Sequence, residues 1–176
     1  MPLASNGKAM VASAMTSAKR PPSYSLAQIV LHWTIAGLVA WQLFISGHPP
    51  RIQPGSVQGF WAMTTASSHV WLGLTVLALV VVRVVLRLSQ GAPPPVESPP
   101  AAEVASRVVH FLFYLLLFFM PITGILAWYF GLPTGDIHEL GQPVFIVLIA
   151  AHVAASLWHQ FIRHDGLIRR MVVPAR

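Results

Sequence analysis

Residues 70–88 read VWLGLTVLALVVVRVVLRL, nineteen positions interrupted only by Gly73, Thr75, Arg83 and Arg87. As an α-helix this stretch is about 28 Å long at 1.5 Å per residue, close to the hydrocarbon thickness of a bilayer. Three further stretches have the same character: Leu26–Ser46, Val108–Phe130 and Val144–Ile162. None shows the alternation of apolar and polar residues that a barrel strand requires. In lipid only helices and closed barrels satisfy their own backbone, so the fold class is all-α, a four-helix transmembrane bundle.

The composition agrees. Of 176 residues, 55% are hydrophobic and 9% charged, against roughly 45–50% and about 25% in soluble domains. These proportions exclude an ordinary soluble globule and a disordered chain. The absence of Cys excludes disulfide frameworks, thiolate zinc sites, iron–sulfur clusters and thiol catalysis. Eight His outnumber the five acids, and in so apolar a chain that excess calls for a cause.

The connections are rich in helix breakers. Gly47–Ser68 contains His48-Pro49-Pro50 and Gly55. Ser89–Ser106 carries Pro93-Pro94-Pro95 and Pro99-Pro100 and reads as an extended strap. Gly131–Gly141 is short, with Pro133, Gly135, Asp136 and Glu139. Residues 1–24 are rich in Ala, Ser and Met and read as a disordered cytoplasmic tail, leaving residues 25–176 as the bundle domain.

Charge sets the orientation. With four spans, the N-terminus, the second connection and the C-terminus share one side, which carries Lys8, Lys19, Arg20, Arg83, Arg87, Arg107, Arg163, Arg169, Arg170 and Arg176. Arg51 alone lies on the other side. Ten against one predicts that both termini are cytoplasmic. The same residues account for the net charge of +6 as a fringe meeting anionic membrane lipid, with no nucleic-acid partner.

An ionisable side chain inside a span is costly and points to function. His32 lies about a turn and a half into the first span, His69 opens the second on the outer side, and His110 opens the third on the inner side. His138 sits at or just before the fourth, followed by His152 and His159. His138 and His152 are 14 residues apart, about 21 Å on nearly one face if helical, and His159 is on that face again. Depth then pairs His69 with His138 at the outer level and His32 with His152 at the inner level. Two imidazoles at each of two levels is the arrangement of two bis-histidine haems stacked in a four-helix bundle. Zinc or copper fits worse, because no His pair has (i, i+4) spacing and a zinc site wants three or four clustered ligands. A histidine proton relay, or histidines that merely bond neighbouring helices, are the competing readings.

Other residues have two readings each. Arg83 and Arg87, near the inner level, either neutralise haem propionates or snorkel to the interface. Trp33, Trp41, Trp61, Trp71, Trp128 and Trp158 form first an interfacial belt. Gly37, Gly73 and Gly124 suit close approach of helices or of a flat macrocycle. Pro121 predicts a kink in the third helix, and Pro143 marks a later start for the fourth.

Taken in order, these stretches resemble the bacterial cytochrome b561 family, related to the di-haem cytochrome b subunits of membrane hydrogenases and formate dehydrogenases. The resemblance rests on Leu31-His32-Trp33, on His69 with Val81-Val82-Arg83-Val84-Val85-Leu86-Arg87-Leu88, on His110 with Pro121-Ile122-Thr123-Gly124, and on His138-Glu139. It continues through Ala151-His152-Val153-Ala154-Ala155-Ser156-Leu157-Trp158-His159 to Asp165-Gly166 and Arg169-Arg170-Met171, covering about residues 25–174. It implies a multi-pass protein of the bacterial inner membrane, holding two haem b and passing electrons from a small or protein donor in the periplasm to quinone. His32 and His152 would ligate the cytoplasmic-side haem, and His69 and His138 the periplasmic-side haem. A quinone site near the cytoplasmic-side haem makes His110 and His159 candidates for binding or protonating ubiquinone.

One family member is a superoxide oxidase, so the resemblance implies a superoxide:quinone oxidoreductase, with Arg51 and His48 as the cationic or titratable lures for a small anion. No residue is assigned a covalent catalytic role. The alternative is a haem-bearing anchor relaying electrons for a separate dehydrogenase, hydrogenase or cytochrome c. A haem-free relay transporter is third. Many relatives have a longer connection between the third and fourth spans than Gly131–Gly141, so a donor site shaped by that loop is built differently here.

Overall fold

The computed structural model describes residues 23–46, 67–96 and 98–175. The expectations for residues 1–22, for His48 and Arg51 and for Trp61 lie outside the described residues. Helices α1 (Leu26–Phe44), α2 (Ser68–Gln90), α3 (Pro100–Phe130) and α4 (Gly135–Trp158) follow one another. A π-helical turn, His159–Arg163, extends α4, and a short 3₁₀ turn occupies Ile168–Met171. All four are long and apolar enough to cross a membrane, α4 counted with its π-turn.

The molecule is apolar outward. Leu88 is 81% exposed and Phe44 70%, and among the described residues the buried apolar side chains are Ile29, Ile35, Val76, Val80, Met120 and Phe145, with Pro93 in the second connection. A surface of this kind is stable against hydrocarbon, not water. Ile35, Val76 and Val80 form the central cluster, flanked by Leu38, Val39, Leu79, Tyr114, Leu117 and Phe118, and so tie α1, α2 and α3 together. No residue of α4 belongs to that cluster. Helix α4 instead approaches α3 at Gly141, where a Cβ would stand 2.0 Å from Met120 Sδ. A glycine there lets the two backbones close in.

Polar contacts fix the ends. At the end bearing Ser23 and Ala175, the Ser25 hydroxyl accepts from the Gln28 N–H at 3.3 Å while Gln28 Oε1 accepts from the Ser25 N–H at 3.2 Å. This reciprocal capping box satisfies two donors that α1 cannot. Buried Gln28 also donates through Nε2 to Gly91 O at 3.0 Å and Leu86 O at 3.4 Å, so one side chain starts α1 and closes the end of α2. The C-terminal segment clasps the same end. Ser23 Oγ donates to Arg170 O and Val173 O, Ala175 N to Tyr24 O at 3.0 Å, and Trp33 Nε1 to Met171 O at 2.8 Å.

Several boundaries differ from the sequence reading. Helix α3 starts at Pro100, so Ala101–Ser106 are helical and not part of the extended strap. Pro at the first helical turn lacks only an N–H that would have no partner there. Helix α4 starts at Gly135 and runs through Pro143, which is not its beginning. The third connection shrinks to residues 131–134, with Gly131 left-handed at φ 65°. Asp136 then falls in the first turn of α4, where a negative charge suits the helix dipole. Because α4 is continuous from His138 to His152, their separation of about 21 Å along the axis stands. Pro121 also sits inside an unbroken helix.

Replacing Gln28 by Leu keeps the volume but removes the cap partner and the Nε2 donor to Gly91 O at the end of α2, while Leu86 O keeps the Ser89 hydroxyl. Thermal unfolding in detergent is expected to show a loss of about 1–3 kcal/mol; an unchanged midpoint would refute this role.

Candidate functional site

The histidines gather at the two ends of the bundle. At the end remote from Ser23, α2 contributes His69 from its first turn and α4 contributes His138. Their Nε2 atoms face each other at 3.4 Å, with ring centres 5.7 Å apart. His138 Nδ1 lies 2.8 Å from Met120 O. A carbonyl only accepts, so Nδ1 carries the proton and the Nε2 lone pair is left toward His69. Thr123, buried on α3, also bonds Met120 O and stands 3.4 Å from the same Nδ1. Its own carbonyl accepts from Thr134 Oγ1 at 2.8 Å, which pins the short α3–α4 connection. A Cβ at Gly124 would lie 3.0 Å from His138 Cε1, so the ring rests on bare backbone.

His69 is held equally. Ser46 Oγ is 3.3 Å from its Nδ1, Gln42 Nε2 donates to its carbonyl at 2.9 Å, and Ser46 Oγ is also tied to Gln42. A Cβ on Gly73 would approach Gln42 Nε2 to 3.3 Å. Gly37, expected to serve close approach, would meet no heavy atom within 4 Å; Gly141, read as the end of a loop, does serve it.

At the other end the rings of His32 and His152 have centres 6.5 Å apart. His110 joins them: its ring centre is 5.6 Å from that of His152, nearly perpendicular at 88°. Its Nδ1 donates to Ser106 O at 2.6 Å, one turn back. Phe113 packs edge-on against His152, and Trp33 against His32. The sequence reading placed His110 nearer the membrane surface; the structure places it against the inner pair. His159 is engaged elsewhere, paired through Nδ1 with the carboxylate of Asp165. The two candidates for a common quinone site are therefore not partners of each other.

Arg83 and Arg87 come together with Tyr24, Gln28 and Tyr114 around a narrow cleft beside the inner histidines, and Arg83 donates to Gln28 O at 3.0 Å. Two guanidiniums and two phenols form a donor-rich wall suited to carboxylates. Gln28 escaped the first reading although Ser25-x-x-Gln28 is a capping signature. Tyr24 and Tyr114 had no local signal, and Asp165 stood only within the stretch Asp165-Gly166; only the fold gives the three their partners.

The donor set fits haem iron. A metal bonded to two imidazoles at about 2 Å each sets their ring centres about 6 Å apart, and the two pairs measure 5.7 and 6.5 Å. The far pair has its outer nitrogens held, as metal-bound histidines usually do.

The comparisons point the same way. A family model described as prokaryotic cytochrome b561 matches residues 23–174. Cytochrome b562 of Cereibacter sphaeroides is 32% identical over 162 residues, covering 87% of this chain and 97% of the relative. A probable superoxide oxidase, CybB, of Yersinia pestis is 29% identical, with coverages of 87% and 97%. Cytochrome b561 homolog 1 of Escherichia coli is 26% identical, covering 85% and 96%. No solved structure matches the chain. With its four apolar helices and its histidines gathered at both ends, the chain belongs to the prokaryotic cytochrome b561 family, the haem b electron-transfer proteins of bacterial membranes.

Proposed function

We propose that this chain is a di-haem cytochrome of the bacterial inner membrane that carries electrons from a periplasmic donor to ubiquinone. The observation that carries the reading is the pair of neighbouring imidazoles at each end of one bundle, with ring centres at separations suited to axial ligation. His32 and His152 would hold the cytoplasmic-side haem, His69 and His138 the periplasmic-side haem. Bound there, the two haems supply one-electron carriers at two depths.

The chain's own residues do the rest. Met120 O and Ser46 orient the outer imidazoles, and the apolar helices exclude water from the centres. Arg83 and Arg87, with Tyr24 and Tyr114, would bind the propionates of the inner haem. The excess of Lys and Arg on one side supports cytoplasmic termini. That side also carries His159, about 10 Å along α4 from His152, within reach of a quinone near the inner haem.

Superoxide is the proposed donor. The support is the likeness to the Yersinia pestis protein named a probable superoxide oxidase, together with the small size of an anion that can approach an exposed haem edge. Purified single chain in liposomes should reduce ubiquinone when superoxide is generated outside. Reduction only after a dehydrogenase, hydrogenase or cytochrome c is added would favour the anchor reading.

Four substitutions test the ligand set by haem content per chain. His138→Ala should remove one of two equivalents, and retention of both would sink the assignment. Gly124→Val should push the His138 ring from its seat and lower the content toward one equivalent; full occupancy would show that the contact is slack. His32→Ala should lose one haem whereas His110→Ala retains both; the pair of variants is needed because the His110 ring centre lies 5.6 Å from that of His152, nearer than His32 at 6.5 Å. The reverse outcome would exchange their roles.

A further inference from the structure

At the end of α4 the helix widens into a π-turn over His159–Arg163, and His164 follows in a left-handed conformation at φ 52°. Such a conformation is strained for a residue other than glycine. Its effect is to fold the chain back so that Asp165 reaches His159. Asp165 Oδ2 accepts from His159 Nδ1, and Asp165 Oδ1 accepts from the Leu167 N–H at 3.2 Å. Both side chains are largely enclosed, with 16% of His159 and 17% of Asp165 exposed. Arg163 Nε lies 3.7 Å from Asp165 Oδ2. Burial pushes the Asp165 carboxyl up, but the His159 bond, the Leu167 N–H and the charges of His159 and Arg163 outweigh it and hold it below the usual carboxylate range.

Asp165 also lines a cleft of about 360 Å³ between the C-terminal segment and the start of α1, walled by Ser23, Gly166, Arg169 and Arg170. That cleft has room for several water molecules. It opens at the end where Ser23 and Ala175 meet the chain's clasp. The arrangement is therefore a line: an open cleft, a carboxylate on its wall, and an imidazole behind it at the start of the π-turn.

We infer that Asp165 and His159 form the proton entry to the quinone site, Asp165 as the positioning residue and His159 as the group that meets the quinone oxygen. The inference rests on the ubiquinone reading above. Full reduction of a quinone takes two electrons and two protons; the two haems, when bound, would supply one electron each and be oxidised, and water would supply the protons. With Nδ1–H held by Asp165, His159 presents Nε2 away from the carboxylate. The protonated ring gives Nε2–H to the reduced quinone's oxygen and is left neutral, its Nδ1–H still on Asp165; water returns the proton at Nε2, and the Asp165 carboxylate favours that recharging by stabilising the imidazolium. The groups facing this pair are Arg163 on the π-turn and, across the cleft, Arg169 and Arg170 on the 3₁₀ turn, all cationic. Of these, Arg163 favours the ionised form of Asp165 and so helps keep it an acceptor for Nδ1–H.

The test uses the haem-loaded chain in liposomes, reduced with dithionite and mixed with ubiquinone-1, with haem reoxidation followed across a pH series. Wild type should reoxidise with a rate that varies little with pH. Asp165→Asn should be slower by about a hundredfold and become first order in bulk proton concentration, with its haem spectrum unchanged. Asp165→Glu should restore most of the rate and the shallow profile. In a ¹⁵N-histidine spectrum the His159 Nδ1 proton signal should be present in wild type and lost in Asp165→Asn. If Asp165→Asn does not assemble, His159→Gln carries the same kinetic expectation. Wild-type reoxidation with Asp165→Asn matching it in rate and slope overturns the relay alone. Wild type that is not reoxidised by ubiquinone-1 overturns the quinone reading and the relay with it.

Discussion

Hydrocarbon offers no hydrogen bonds, and from that constraint the rest of the molecule follows. Every polar group that enters the membrane must be satisfied by the protein or by something the protein holds. The four helices satisfy their own backbones. The side chains left to explain are the imidazoles, and the structure meets the polar needs of several of them with specific partners: Ser46 for His69, Met120 O for His138, Ser106 O for His110, Asp165 for His159. In the two cases where a carbonyl is the partner, it fixes which ring nitrogen carries the proton. A tautomer fixed by backbone is set by the fold itself and does not await a ligand.

The two ends of the bundle are built differently. The far end is tight: His138 lies on the backbone of Gly124, and α4 presses on α3 where Gly141 meets Met120. The end with the clasp is broader. There His152 is shared by His32, His110 and Phe113, two arginines line a separate cleft, and a C-terminal segment reaches across to α1. A donor that only passes electrons needs a rigid, closed centre. An acceptor that takes up protons as well needs titratable groups and access to water. The difference between the ends matches that division of labour in the proposed reading.

Much of this was legible in the residues because membrane spans announce themselves by length and composition. The number of helices and the nearness of His69 to His138 both came from counting along the chain, whereas the nearness of His110 to His152 did not. Boundaries were less legible, since apolar content fades before helices end: Ala101–Ser106 and Gly135–Gln142 are polar enough to read as loops yet are helical. Pro143 misled for a related reason, because a proline that would end a soluble helix is tolerated in a long apolar one. Side-chain partners from distant segments left no trace in the pattern. Tyr24 and Tyr114 are 90 residues apart in sequence and meet only because α1 and α3 converge on Arg83 and Arg87.

The clasp binds these observations together. Helices α1 and α2 are joined by Gln28 and α3 and α4 by glycine contacts, but α1 reaches the last part of α4 through the C-terminal segment, by way of Ser23, Tyr24 and Trp33. That segment can turn back only because the π-turn, His164 and Gly166 reverse the chain, the last two with positive φ. The reversal that brings Met171 to Trp33 is the same one that brings Asp165 to His159. Closing the bundle and orienting His159 are thus one structural event, so a change that loosens the clasp disturbs the imidazole even when it touches neither residue of the pair.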